Sequence, residues 1–419
     1  MNLRFALRTY VLAAITVLAA SGWAQKDSTA AQDYELRART NVVSWDDGGA
    51  VSHFAYLHTG EIFPTAIIRR NGKIRPLPVK LLPEIGKFMV QDANNRQVTL
   101  DEYLAHSALD GFLVVHKGNI VYERYSQMQP RDRHLAFSIT KAFVGTLSGI
   151  LEDQKQLDMS KPVEYYLPDF HESAWANISV RNVADMASGM EITDLTPEAF
   201  SDPKNKFFQM EASLGWEPKS EGMPETVIKG DTYNYLKSLK QLHPQGTVQE
   251  YASTNTALLS FIEEKITGKR LADAISDEIW SKIGAEADAQ IVVNERGMPV
   301  AHGGMAMTLR DLARFGLAVA ESQTAPAGKQ VVPAPFVVRL LKHGRPELLP
   351  PQHPEWLSHS SYQWDVVTKA GQIMKGGFAD QMLFIDCARD VVIVYFGTNQ
   401  NQDSRPVLLP LRKLSETFF

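Results

Sequence analysis

The chain has 419 residues, 44% of them hydrophobic and 22% charged, which is enough apolar material for a sizeable core and excludes disordered and fibrous classes. A formal net charge of -5 and a pI near 6.1 leave no broad basic surface to track a phosphate backbone, so nucleic acid is not an expected partner. Cys387 is the one cysteine, so no intrachain disulfide is possible; it reads as a small hydrophobe at the end of a buried strand rather than a nucleophile.

Arg4 and Arg8, an apolar run from Val11 to Ala20 and small residues ending at Ala24 follow the grammar of a secretory signal. Residues 1–24 are therefore expected to be removed, leaving a mature chain that begins near Gln25 in the periplasm or outside the cell. The alternative, an uncleaved anchor, asks this run to do the work of the roughly 20 apolar residues that a bilayer span needs. No other stretch is long and apolar enough, so no membrane span is expected after cleavage.

Residues 25–100 carry turn signals at Asp46-Asp47-Gly48-Gly49 and Asn71-Gly72-Lys73 and no long helical period, and read as an extension packed on a main domain of 101–419. Gly111 to Tyr125 reads as a hairpin turning at Lys117-Gly118-Asn119. Beginning near Ser138, Phe143, Val144, Leu147, Ile150 and Leu151 recur at helical spacing, which predicts an amphipathic helix with one buried face. Further helices are expected over Thr254–Thr267, stopped by Gly268, and over Thr308–Phe315, with Thr308 and Asp311 as a capping box. Polar loops are expected between them, including Ser201 to Glu225. Strands follow at Ser361–Val367, Met382–Asp386 and Val391–Phe396, then a helix over Leu408–Phe419. Strands at both ends with helices between them predict an α/β (α+β) fold: one antiparallel sheet closed by distant segments, with a helical lobe inserted over roughly 148–300.

Three short stretches carry chemistry. In Phe137-Ser138-Ile139-Thr140-Lys141, residues three apart on a helix sit roughly 5–6 Å apart at Cβ, so Ser138 and Lys141 can meet. A serine hydroxyl needs a base, and lysine serves only if burial and nearby positive charge lower its pKa. At a helix N-terminus the free amides and the positive dipole end disfavour a protonated lysine, and the Ser138 amide can donate to a developing oxyanion. Ser201-Asp202-Pro203-Lys204 matches the same spacing, but its Asp-Pro pair and polar surroundings place it in a loop that holds nothing together. Tyr251, in Tyr251-Ala252-Ser253 just before the second helix, can pass a proton to a leaving group if a cation such as Lys141 is close; packing alone is its alternative role. Lys375-Gly376-Gly377-Phe378 precedes a strand, and its glycines imply either close approach of a substrate to the backbone or a bulge. Lys342-His343-Gly344 also fits K-x-G but precedes no strand.

In this order the three stretches resemble the serine β-lactamase-like superfamily of class C β-lactamase and penicillin-binding-protein type, with its S-x-x-K, Y-x-N or Y-x-S, and K-T-G motifs. Ser52-His53-Phe54 through Glu61-Ile62-Phe63-Pro64-Thr65-Ala66, Asp110-Gly111-Phe112-Leu113-Val114-Val115 and Arg133-His134-Leu135-Ala136-Phe137-Ser138 are most similar to its 6-aminohexanoate-dimer hydrolase branch. The resemblance covers about residue 40 to the C-terminus. It implies an antiparallel sheet flanked by helices, a mostly helical second lobe, a cleft between them, and acyl transfer without metal or organic cofactor. It implies Ser138 as nucleophile, Lys141 and Tyr251 as the proton-handling pair, and the amides of Ser138 and Phe378 as an oxyanion hole. Ser253, Lys375, Gly376 and Gly377 would bind substrate, with Lys375 available to a substrate carboxylate.

Two departures bear on the substrate. Ser253 stands where β-lactamases of the superfamily have an amide-bearing Asn, which weakens an antibiotic-hydrolase reading, and Gly376 replaces a threonine, losing a hydroxyl donor; β-lactamase and peptidoglycan D,D-peptidase stay as the alternative readings. Register also leaves open whether the second glycine pair matches Gly376-Gly377. The expected partner is a small ester, amide or peptide; oligomeric state is not legible. The 11 histidines form no H-E-x-x-H, and G-x-S-x-G is absent, so zinc-hydrolase and α/β-hydrolase readings fall away. His302, beside Gly303-Gly304, reads as a hydrogen-bonded structural histidine. A non-catalytic wall-fragment or ligand-binding protein on the same fold is the alternative of another class.

Overall fold

The computed structural model describes residues 30–191, 194, 196–323, 330–399 and 410–419. The secretory signal expected over 1–24 lies outside them. Among the described residues there are thirteen strands: β1 Thr65–Ile68, β2 Met89–Gln91, β3 Gln97–Thr99, β4 Leu109–His116, β5 Asn119–Tyr125, β6 His134–Leu135, β7 Ala289–Val292, β8 Met305–Met307, β9 Leu357–Ser361, β10 Trp364–Thr368, β11 Gln372–Gly377, β12 Gln381–Asp386 and β13 Val391–Gly397.

Seven of them form an antiparallel sheet in the order β5-β4-β13-β12-β11-β10-β9. The expected hairpin is β4–β5, and the sheet closes where β13 pairs with β4, Val392 opposite Val115 and Val394 opposite Leu113. Alternation along each strand feeds both faces. Phe112, Val114, Phe384 and Ile393 point to a layer containing Leu100, Leu104, Leu411 and Leu414. Leu113, Val115, Leu383, Val392 and Val394 point instead to the helix Leu309–Ala320 and the larger core beyond it. The fold is a mixed α/β architecture with antiparallel sheets, as the sequence predicts. A second sheet, β1-β7-β8-β6, lies beside it and takes its edge strand from the N-terminal segment.

Several local expectations change. The helix Thr140–Asp153 is not one-sided: every residue from Thr140 to Leu151 is buried, because the helix packs on β10 and on the helices Ser253–Thr267, Leu271–Ile275 and Ala334–Lys342. Gly145 permits this, since a Cβ there would sit 1.8 Å from the Tyr362 carbonyl oxygen. The single strand expected over Ser361–Val367 is a hairpin, β9–β10, turned at Tyr362 and Gln363 with φ of 48° and 67°; no glycine announces it.

The loop expected over Ser201–Glu225 contains the helix Lys206–Ser213, capped by Asn205, whose Phe207, Phe208 and Met210 are buried. Upstream, the chain forms helices at Ala30–Arg39, which buries nothing and so leaves no apolar period, and at Gly49–Leu57, where the Gly48-Gly49 signal marks a helix start. Thr308 caps Leu309–Ala320 by accepting from the Asp311 amide at 3.1 Å, but the reciprocal half of the box is missing. The Asp311 carboxylate is taken by the Glu286 and Ala287 amides and by Arg314. Ser253–Thr267 ends at Gly268, φ 65°, as expected, and the last helix spans Leu411–Phe418. Cys387 is half-buried at the end of β12, and burial pushes its thiol up to about 12.

Candidate active site

Ser138 lies in a tight 3₁₀ turn, Phe137–Ile139, that opens directly into the helix Thr140–Asp153. The preceding Phe137 has φ 45°, a left-handed conformation that costs a side-chain-bearing residue about 1–3 kcal/mol and persists only where its surroundings hold it. They do: its ring packs against Tyr56 at 4.9 Å, Phe378 at 5.3 Å, Trp45 at 6.0 Å and Trp216 at 6.2 Å. The backbone is pinned on both sides of the turn to β8, Ala136 N–H donating to the Met305 carbonyl at 2.8 Å and Met305 N–H donating to Thr140 Oγ1 at 3.1 Å.

One helical turn further, Lys141 Nζ lies 3.1 Å from Ser138 Oγ and donates to the His302 carbonyl at 2.8 Å. The side chain is buried, and burial first and the charge of Lys375 second push its pKa down to about 7, against Asp194, Asp365 and Glu211. Tyr251 enters from the N-terminal side of the helix Ser253–Thr267. Its ring is flanked by two ammonium groups, Lys141 Nζ at 4.9 Å and Lys375 Nζ at 4.8 Å from the centroid, and its hydroxyl is hydrogen-bonded to Ser138. The flanking cations do not depress the phenol. Burial, then Asp365 and Asp194, carry its pKa well above the ordinary tyrosine value, so it stays protonated. Ser138, Lys141 and Tyr251 thus meet at one point.

β11 supplies the opposite wall. Its ladder with β12 runs unbroken from Gln372 to Gly377, so the glycines mark no bulge. Gly377 is required by the Ser138 turn itself, because a Cβ there would come 2.7 Å from the Ala136 carbonyl oxygen; at Gly376 the nearest atoms are 3.9 Å away. Phe378 follows at the strand end and lines the same cavity of about 640 Å³ as Ser138, Lys141, Tyr251, Ser253, Gly376 and Gly377.

Lys375 is absent from that lining. Its ammonium is fully buried, 3.5 Å from Tyr251 Oη and in contact with Asp365 Oδ1, so it is not open to a substrate carboxylate as the motif suggests. Ser253 is also engaged: its hydroxyl donates to Asp194, and its amide lies 3.0 Å from the same carboxylate. Burial raises the Asp194 carboxyl against the pull of Lys141 and of these hydrogen bonds. Ser201 and Lys204 stay on the surface, as expected, with Ser201 Oγ donating to the Pro197 carbonyl.

Sequence reasoning missed Asp194 and Asp365, and it missed the far end of the cavity. There Trp45 and Trp216 stack at 5.3 Å beside Asp46, Glu211 and Glu217. Burial first, then neighbouring carboxylates, raise Asp46 to about 6 and Glu217 to about 8. His302, read as structural, reaches the cleft: its carbonyl holds Lys141, and its Nε2 lies 2.6 Å from Glu211 Oε1. Among the described residues no group of three or more metal-ligating side chains is found, and no helix is long and apolar enough to cross a membrane.

A serine turn at a helix start, a buried lysine one turn on and a tyrosine just before a second helix all face one strand edge, the arrangement expected of a serine hydrolase. The Beta-lactamase family model matches residues 99–415, and the chain belongs to that family. It is a hydrolase of the β-lactamase-related serine type. It is 31% identical over 369 residues to the 6-aminohexanoate-dimer hydrolase of Paenarthrobacter ureafaciens, covering 86% of this chain and 89% of that protein. A solved structure from Bacillus anthracis, described as a candidate 6-aminohexanoate-dimer hydrolase, superposes with a TM-score of 0.77 at 25% identity over 91% of this chain and 95% of that one. EstCE1, a hydrolase with promiscuous acyltransferase activity, shares the fold with a TM-score of 0.56 at 13% identity, covering 73% and 95%.

Proposed function

We propose that the protein is an exported hydrolase that cleaves a small ester or linear amide through an acyl-enzyme on Ser138. The observation that carries this reading is the meeting of Ser138, Lys141 and Tyr251 at the floor of one cavity. Lys141, pushed down to about 7, is an amine able to accept a proton near neutral pH, and it is in reach of Ser138 Oγ. As Oγ bonds to the acyl carbon, its proton passes to Lys141 Nζ. The resulting oxyanion is received by the amides of Ser138 and Phe378, each donor worth about 2.7–4 kcal/mol when well placed.

Tyr251, held protonated, gives its proton to the leaving nitrogen or oxygen as the acyl bond breaks, and is reprotonated from Lys141. Water then attacks the acyl carbon, loses a proton through the same pair, and Ser138 recovers its hydrogen. Positions 253 and 376 favour an ester or a linear amide over a β-lactam. Ser253 is occupied by Asp194, and Gly376 offers no hydroxyl.

Export rests on the Arg4, Arg8, Val11–Ala20 and Ala24 pattern, and N-terminal sequencing of the protein from the producing cell is expected to start near Gln25. The chemistry is tested with a panel of short-chain aryl ester, linear amide, wall peptide and lactam, with mass spectrometry of the intact protein for an acyl adduct on Ser138. Turnover of ester or linear amide with loss in Ser138→Ala is expected. Undiminished turnover in that variant rejects the nucleophile.

A further inference from the structure

The cavity is short of positive charge where this family's third motif would place one. Lys375 is fully buried, and Asp365, at the second position of β10, turns one carboxylate oxygen to its ammonium. The other oxygen accepts from the Gly376 amide at 3.2 Å, tying β10 to β11 at the cavity wall. Asp365 is also the partner that faces the cavity: its side chain is 31% exposed, and it lines the wall that Lys375 does not reach. Apart from the histidines and Tyr251, the ionisable groups lining the cavity are Lys141 and the acids Asp46, Asp194, Glu211, Glu217 and Asp365.

We propose that Asp365 is a specificity-determining residue: it neutralises Lys375 and presents its own carboxylate to the cleft near Tyr251, the proposed donor to the leaving group, so that the enzyme selects neutral or cationic leaving groups and rejects those carrying a carboxylate. This rests on the acyl-transfer reading of Ser138. Like charges brought together in a partly desolvated wall repel, so specificity arises from what the wall excludes. Freed of Asp365, the same lysine becomes an anion receptor.

The test compares phenyl acetate with 3-carboxyphenyl acetate, which differ by one carboxylate on the leaving group. Wild type is expected to prefer the neutral ester in kcat/KM. Asp365→Asn is expected to raise the ratio of carboxylated to neutral rates about tenfold, and the Asp365→Asn/Lys375→Gln double variant to return it toward wild type. A ratio unchanged within twofold in Asp365→Asn overturns the proposal. Should that variant fail to fold, the wild-type enzyme still decides: benzoate is expected to inhibit about tenfold more weakly than benzamide, and equal inhibition overturns the proposal. Ser138→Ala separates the two claims. If that variant still turns over both esters, the acyl-transfer reading has failed, whereas a flat ratio in an enzyme that does depend on Ser138 condemns only the role of Asp365.

Discussion

Lys141 has its pKa lowered to about 7 mainly by burial, with Lys375 second. A base must be unprotonated to act, so kcat/KM is expected to rise with pH through about 7 and level above it; a profile flat from pH 5 to 9 would rule out the lysine as base. Residues acting as one unit lose function together, so Lys141→Ala should fall close to Ser138→Ala in rate, and Tyr251→Phe should lose less. Wild-type rates in Tyr251→Phe would mean that the tyrosine only packs.

Glu217 is shifted in the opposite direction. Its folded pKa of about 8 exceeds the ordinary carboxyl value, so the stability linked to its bound proton is fully present below about pH 4.5 and is lost as pH rises through 8. Melting temperature in the wild type is therefore expected to drop between pH 5 and 9 by more than in Glu217→Gln. Equal drops would show that the carboxyl is solvated.

Elements put these groups in place, and one contact sets the distance between two of them. The end of β11 lies against the Ser138 turn because Gly377 lacks a Cβ that would meet the Ala136 oxygen at 2.7 Å. Gly377→Ala must push the strand and the turn apart, at about 1–3 kcal/mol of stability, and on the proposed mechanism should lower kcat more than it raises KM, because it shifts the amides proposed to receive the oxyanion. A variant with normal kcat would show that the strand end is not part of the machinery.

At this scale the sequence was legible where the signal was local. The spacing of Ser138 and Lys141, the helix starting after Tyr251 and stopping at Gly268, and the β4–β5 hairpin each depend on neighbours within a few positions. The turn at Tyr362-Gln363 was hidden because neither residue is a usual turn former. The helix Lys206–Ser213 was hidden because Gln209 and Glu211 break its apolar run while being buried themselves. The full burial of Thr140–Leu151 depends on layers supplied from elsewhere in the chain, which helical periodicity does not encode.

In the whole molecule, the cleft is assembled from widely separated segments: Trp45, the Ser138 turn, Asp194, Tyr251, His302 and β10–β11. That dispersion is why Asp194, Asp365, Trp45 and Glu217 were not legible. Each reaches the site by long-range packing, and none carries a spacing that marks it. Trp45 ties the N-terminal segment to the site through its stacking on Trp216, its edge contact with Phe63 at 5.3 Å and its indole N–H, which donates to the Trp216 carbonyl. Removing residues up to 68 would strip away this wall together with β1. The truncated protein is expected to lose ester turnover and to melt at lower temperature; retained activity would show that the cleft is complete without this segment.

The seam between β4 and β13 also bears on biosynthesis. While the ribosome is still at work, the Ser138 turn and its lysine emerge long before Lys375 and Phe378 exist to face them, and the strand that slots between β4 and β12 is among the last to be made. On the proposed chemistry, a polypeptide that stops short of β11 is therefore inert, because the far wall of the cleft has not yet been made.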